Sequence, residues 1–181
     1  MRLDAPASRS HKAGARNPSA IVAGLGRVAT SARGNDTGVE HQIRVARITD
    51  IDRLTSLAER ATGRSVSADL LRQLVYLPQT SIFVAEQGRE LSGGIVMALR
   101  PSVRTGGYIG SIDLLAVDPD LAAEPTADAL LAEAIRSAHN KGCAVIEAAF
   151  PDDPVELARL KRSGFAAVGQ LLARPLAKES V

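Results

Sequence analysis

The apolar positions change period repeatedly along the chain, and each change marks an element. Ile43 to Ile48 interleaves apolar residues with Arg44 and Arg47, which predicts a half-exposed strand. Thr49 then offers an N-cap, with Asp52 three residues on where a capping box favours it, and Ile51, Leu54, Leu57, Ala58 and Ala61 line one face of a helix. After a break at 62–66, Ser67 caps a second helix carrying Leu70, Leu71, Leu74 and Val75, which ends before Pro78. Ser81 to Glu86 and Leu91 to Leu99 read as strands. The short link 87–90 makes them an antiparallel hairpin.

The second half alternates strand and helix. Gly107 to Val117 is strongly β-forming, and Asp118-Pro119-Asp120 stops it with turn chemistry. From Pro125 onward, Ala127, Leu130, Leu131, Ala134, Ile135 and Ala138 recur at helical spacing, and Gly142 ends that helix. Cys143 to Phe150 is a further strand, and the helical crossover makes it a parallel neighbour of 107–117. A last helix starts at Asp153, with Pro154 in its first turn and Glu156 completing a capping box, and stops at Gly164. Phe165 to Leu176 supplies one or two closing strands. Tyr76 and Tyr108 are the only phenols.

A strand that delivers its end to a helix N-terminus can bind anions, because free amides and the helix dipole both favour negative charge there. The segment Leu115-Ala116-Val117-Asp118-Pro119 and the order β, α, α, β, β, β, α, β, α, β resemble the GNAT superfamily of acyl-CoA-dependent N-acyltransferases over about residues 43–176. In that family Leu-Ala-Val-x-Pro is followed by a loop of pattern Gln/Arg-x-x-Gly-x-Gly/Ala around the coenzyme A pyrophosphate. The corresponding positions read Ala122-Ala123-Glu124-Pro125-Thr126-Ala127, so only the small final residue is kept. Pro125 has no N–H for a phosphate oxygen, and Glu124 brings a negative charge to the place of a pyrophosphate.

The resemblance implies an α/β (α+β) fold with a mixed, mostly antiparallel central sheet flanked by helices and a splayed pair of parallel strands. It implies transfer of an acetyl or other acyl group from acetyl-CoA or another acyl-CoA to the amine of a small molecule or peptide. The cofactor contacts implied are Leu115, Ala116, Val117, Ala122, Ala123, Thr126 and Ala127, with the amides of Leu115 and Val117 pairing with the pantetheine arm. Amine acylation needs a base, since an ammonium has no lone pair. Asp113, where the family often carries an acid, and Glu147, inside an otherwise apolar strand, are the candidates. Burial would raise their pKa values; a solvent-facing Asp113 and a Glu147 paired with an Arg or Lys are the alternatives. Where the family places a Tyr that protonates the thiolate, this chain has Leu160, and Asp153 stands for a family Asn. The altered loop and Leu160 keep a second reading open: a GNAT fold without catalysis, acting as a binding or assembly module.

Composition narrows the picture further. The 181 residues give room for one domain and a tail, and 45% hydrophobic with 23% charged residues suits a soluble globular protein. Aromatics are 3%, too few for a base-stacking nucleic-acid surface. One cysteine, Cys143, excludes an intrachain disulfide, and His11, His41 and His139 lack metal-ligand spacing. No apolar run approaches the roughly 20 residues of a membrane span, and a cytoplasmic location is expected. Residues 1–42 hold six basic residues (Arg2, Arg9, Lys12, Arg16, Arg27, Arg33) against Asp4, Asp36 and Glu40, leaving 16 basic against 17 acidic for 43–181. This arm reads as a disordered solvated extension, with a tether to nucleic acid or membrane and a presequence as alternatives, and 43–181 as the domain. Leu70, Leu74 and Leu77 suit a core or a homodimer contact equally.

Overall fold

In a computed structural model of the chain, the structure describes residues 42–121, 123–149 and 151–169. The N-terminal arm up to 41 and the stretch from 170 onward lie outside the described residues. Five strands form one sheet in the order β1 (Gln42–Val45), β2 (Thr80–Gln87), β3 (Glu90–Ser102), β4 (Gly107–Val117), β5 (Cys143–Ala148). Among the described residues every pairing is antiparallel except β4 with β5, as the crossover helix requires. The sheet is therefore mixed and mostly antiparallel, with helices on both faces.

Helices α1 (Ile51–Thr62) and α2 (Ala68–Leu74) cover one face. Ile51, Leu54, Leu57, Ala58 and Leu71 pack there on Ile82, Val84, Val96 and Ala116. Helices α3 (Ala123–Asn140) and α4 (Pro154–Arg162) cover the other, where Ala127, Leu130, Leu131, Ala134 and Leu160 meet Phe83, Ile95, Met97, Ile112 and Val117. Gly93 and Gly94 let both layers come close. A Cβ on Gly93 would press on Leu130 and Thr126 of α3, and one on Gly94 would strike Leu54 of α1.

Element types match the sequence pattern, and the departures are local. The first strand stops at Val45, and Ile48 lies in a 3-10 turn spanning Ile48–Asp50. The cause is Asp50, not Thr49: its carboxylate accepts from the Arg47 amide at 2.7 Å and binds the Arg44 guanidinium at 2.6 and 2.9 Å. Arg44 also grips Glu86, at 2.5 and 3.0 Å, so one guanidinium ties β1 to β2 and to the start of α1. Ser67 caps α2 as expected, accepting from the Leu70 amide at 3.2 Å. Helix α3 starts two residues before Pro125, which sits in the first turn where no N–H is needed. No strand occurs at 165–169, so the closing strands expected over 165–176 are absent from that stretch; the remainder lies outside the described residues. Leu74 packs on the α1 side of the core, while Leu70 and Leu77 are exposed.

Candidate functional site

The parallel pairing covers only the first part of β4. The β4–β5 ladder runs from Tyr108 opposite Cys143 to Ile112 opposite Ala148 and ends there, while β4 continues through Asp113–Val117. Against β3, Val96 pairs with Leu114 and Met97 with Ile112, which leaves Asp113 as the extra residue of a β-bulge. A bulge bends and twists its strand. This one lies at the point where β4 leaves β5 behind.

The backbone beyond the bulge has a definite polarity. The Asp118 amide donates to the Ser92 carbonyl at 2.9 Å. Since successive residues of an antiparallel strand point their peptide groups to alternate sides, Ala116 and Leu114 face β3, and Leu115 and Val117 turn theirs toward the side beyond the end of β5. Their side chains do something else: Val117 is buried and Leu115 half-buried in the α3-side core, and Ala116 is buried toward α1. The expected contact residues of β4 thus offer backbone, not side chains.

The helix N-terminus beyond β4 is differently furnished. Thr126 and Ala127 are fully buried against the sheet and Ala123 is half-buried in the first turn, so neither Thr126 nor Ala127 presents a side chain to a ligand. Ala122 lies outside the described residues. Glu124 is bound by Arg159 at 2.7 Å and by Arg162, both from α4, and Arg162 reaches Asp128 at 3.3 Å. The Arg159 hydrogen bond, followed by that of Arg162, holds the Glu124 carboxyl below the usual range. Two basic side chains are therefore present at this end. The family pattern gives no sign of them, because they come from another helix.

Of the two expected catalytic carboxylates, Glu147 accepts from Arg100 at 2.7 Å, and both side chains are partly exposed. Its register partner is Ser111, two residues before Asp113, so the two carboxylates belong to one end of the β4–β5 seam. Asp113 is exposed at the bulge itself. Cys143 is half-buried at the start of β5, and desolvation pushes its thiol up, which suits an inert packing residue. A groove of about 470 Å³ lies where β4 ends, lined on the α1 side by Arg60, Ser56, Leu91 and Asp118, with Arg60 reaching Asp118 at 3.4 Å.

One acidic residue was read from the sequence only as a cap. Asp153 caps α4, accepting from the Val155 amide at 2.9 Å, but Glu156 does not close the box and has no hydrogen bond among the described residues. It is half-buried, and desolvation, helped by Asp153, raises its carboxyl above the usual range. Its separation of four from the buried Leu160 was the available signal, since that spacing puts both on the inward face of α4.

Solved structures with the same architecture are acetyltransferases in several cases. An aminoglycoside acetyltransferase from an uncultured soil metagenomic sample superposes with a TM-score of 0.65 at 17% identity, covering 77% of this chain and 97% of its own. Ribosomal-protein-alanine N-acetyltransferase from Brucella melitensis gives 0.62 at 18%, covering 76% and 100%. An integron cassette protein from the mobile metagenome of Cole Harbour Salt Marsh gives 0.65 at 26%, covering 76% and 91%. No protein-family model matches the chain, and no curated protein matches it in sequence. The element order, the single parallel pair and these neighbours together identify the described domain as having the fold of the GNAT acyltransferase superfamily.

Proposed function

We propose that the protein transfers an acyl group from an acyl-coenzyme A to a primary amine across the gap between β4 and β5. The observation that carries this reading is the edge of β4 past Ile112, unpaired among the described residues, whose Leu115 and Val117 peptide groups face the gap. A pantetheine arm carries amide groups that pair with such an edge as an added strand does. The residues fit that half of the donor well. They fit the phosphate half through Arg159 and Arg162, provided the phosphates displace Glu124 from them. When bound, the donor supplies a thioester, an acyl carbon already activated toward nitrogen.

The chain's own residues then have distinct tasks. Leu115 and Val117 orient the donor through their backbone, and the packed helices keep bulk water from one side of it. Asp113, exposed at the bulge, takes the proton that the acceptor ammonium must lose. Glu147 is committed to Arg100, and this pair shapes the acceptor end in place of acting as the base.

Calorimetry with acetyl-coenzyme A and longer acyl-coenzyme A donors tests the reading: saturable heat is expected, and no heat at millimolar donor removes it. A second reading, a binding or assembly module with this fold, is favoured by one observation, the occupation of both α4 arginines by Glu124. Replacing Glu124 by Gln separates the two. Under the enzymatic reading the wild type already binds donor, and the variant binds it more tightly.

A further inference from the structure

Helices α1 and α2 cover only part of their face of the sheet. Their core reaches Val96 on β3, and Leu114 and Ala116 on β4. Side chains alternate along a strand, so Ala98 and Arg100 share the face of Val96, and both are exposed. On β5, Ile146 and Ala148 pack against the α3 core, which turns Glu147, between them, to the face of Arg100. The two side chains meet there at 2.7 Å, one guanidinium nitrogen on one carboxylate oxygen. Arg100 opposes Ile109 and Glu147 opposes Ser111, so the arginine crosses β4 diagonally and ends level with Ser111.

Charge is ordered along this open face. Asp113 lies two residues past Ser111, about 7 Å at the usual rise of a strand, and is exposed at the bulge beside the gap. Arg104, exposed in the turn between β3 and β4, adds positive charge at the far end. A guanidinium has five N–H groups in a planar fork, and Arg100 spends one nitrogen on Glu147 among the described residues. Arg44 of the same chain shows that one guanidinium can serve two carboxylates, since it holds Asp50 at 2.6 and 2.9 Å and Glu86 at 3.0 Å. Arg100 therefore has room for a second carboxylate while Glu147 keeps its fork turned across β4.

We propose that Arg100 binds a carboxylate of the acceptor, and that the acceptor is a primary amine carrying this carboxylate about 7 Å from its nitrogen. This rests on the acyltransferase reading above. The ammonium lies at Asp113, the carboxylate on Arg100, and the carbon chain between them crosses Ser111 and Ala98. Glu147 is a positioning residue for Arg100. An α-amino acid, with both groups on one carbon, is too short for this span. An ω-amino acid, or the N-terminus of a peptide whose second residue is acidic, has the required length.

The test measures acylation by acetyl-coenzyme A of glycine, γ-aminobutyrate, δ-aminovalerate and ε-aminocaproate, each beside the plain alkylamine of matched length, and of alanyl-aspartyl beside alanyl-asparaginyl peptides with amidated ends. Wild type, Arg100→Gln and Arg100→Lys are compared. The longer ω-amino acids or the aspartyl peptide should exceed their uncharged counterparts about tenfold or more in kcat/KM, through KM, and which of the two series does so identifies the source of the carboxylate. Arg100→Gln should erase the preference and Arg100→Lys restore part of it; the preference is a ratio within one preparation, so a loss of folded protein does not imitate the effect. Glycine as the best acceptor, no preference in the wild type, or a preference that survives Arg100→Gln overturns the role of Arg100 while acylation of plain amines keeps the acyltransferase reading. Calorimetric binding of acetyl-coenzyme A with no member of the panel acylated also overturns this role alone. If the wild type neither binds acetyl-coenzyme A nor acylates any amine, that reading and this role fall together.

Discussion

Arg44 shows how much one side chain can settle. Its guanidinium lies between Asp50, which is almost fully buried, and Glu86, and both carboxyls are held below their usual range chiefly by hydrogen bonds from Arg44. Replacing Arg44 by Leu leaves a buried carboxylate without its partner, and a cost of about 3 kcal/mol is expected, read as a lower urea midpoint at unchanged slope. The pH dependence has a fixed sign. Because both folded-state pKa values are depressed, the stability they contribute is present above the ordinary carboxylate pKa of about 4 and is lost as pH falls through the depressed values. Thermal midpoints of the wild type should therefore fall on acidification, and Arg44→Leu should flatten that dependence.

Glu124 makes the same kind of argument for binding. Its carboxylate sits between two arginines that a phosphate would also seek, so Glu124→Gln should tighten coenzyme A binding by about tenfold, or ~1.4 kcal/mol. The gain should shrink with rising salt, since Arg162 and Glu124 are both about half exposed. Unchanged affinity would mean that neither arginine meets the donor.

Among the elements, the helices were legible from period alone because each has one buried face, as Leu54, Leu57 and Ala58 do on α1 and Leu130, Leu131 and Ala134 on α3, while β2 and β3, buried on both faces, were legible as runs of strand-forming residues. What the pattern could not carry was register. A bulge is one extra residue in a run of otherwise good strand formers, and Asp113 looks like any polar residue of a half-exposed strand until its partners on β3 are known. The Arg159–Glu124 contact spans 35 residues and was illegible for the same reason, as was the pairing of Glu147 with Arg100. Glu156 was read as a cap because its spacing from Asp153 satisfies that pattern. The helix uses the Asp153 carboxylate alone.

The close approach of α1 to the sheet at Gly94 yields a further expectation. Gly94 pairs with Ala116, so the strand that would hold the donor is supported directly by this contact. Gly94→Ala forces Leu54 away and should destabilise the protein by about 1–3 kcal/mol. Chemical denaturation measures this. An unchanged midpoint would show that the α1 layer is looser than its packing implies.

Over the molecule as a whole, the two helix layers have different duties. Helices α1 and α2 are pinned to the sheet by buried Ile51, Leu54, Leu57 and Leu71, whereas α4 contributes one fully packed residue, Leu160, and holds α3 mainly through Arg159 and Arg162. Ion pairs of this half-exposed kind rearrange at low cost. The α4 side is thus the adaptable side, and the strand edge is the fixed one. No helix among the described residues is long and apolar enough to cross a membrane.

Acyl transfer at this site needs a β4 edge free to pair with a ligand, and amide hydrogen exchange read by NMR at Leu115 and Val117 tests this requirement directly. Both amides should exchange quickly in the free protein, while the neighbouring Ala116 amide, bonded within the sheet, is protected; acetyl-coenzyme A should slow Leu115 and Val117 and leave Ala116 as it was. Protection of Leu115 and Val117 before any donor is added, or exchange unaffected by donor at millimolar concentration, would contradict it.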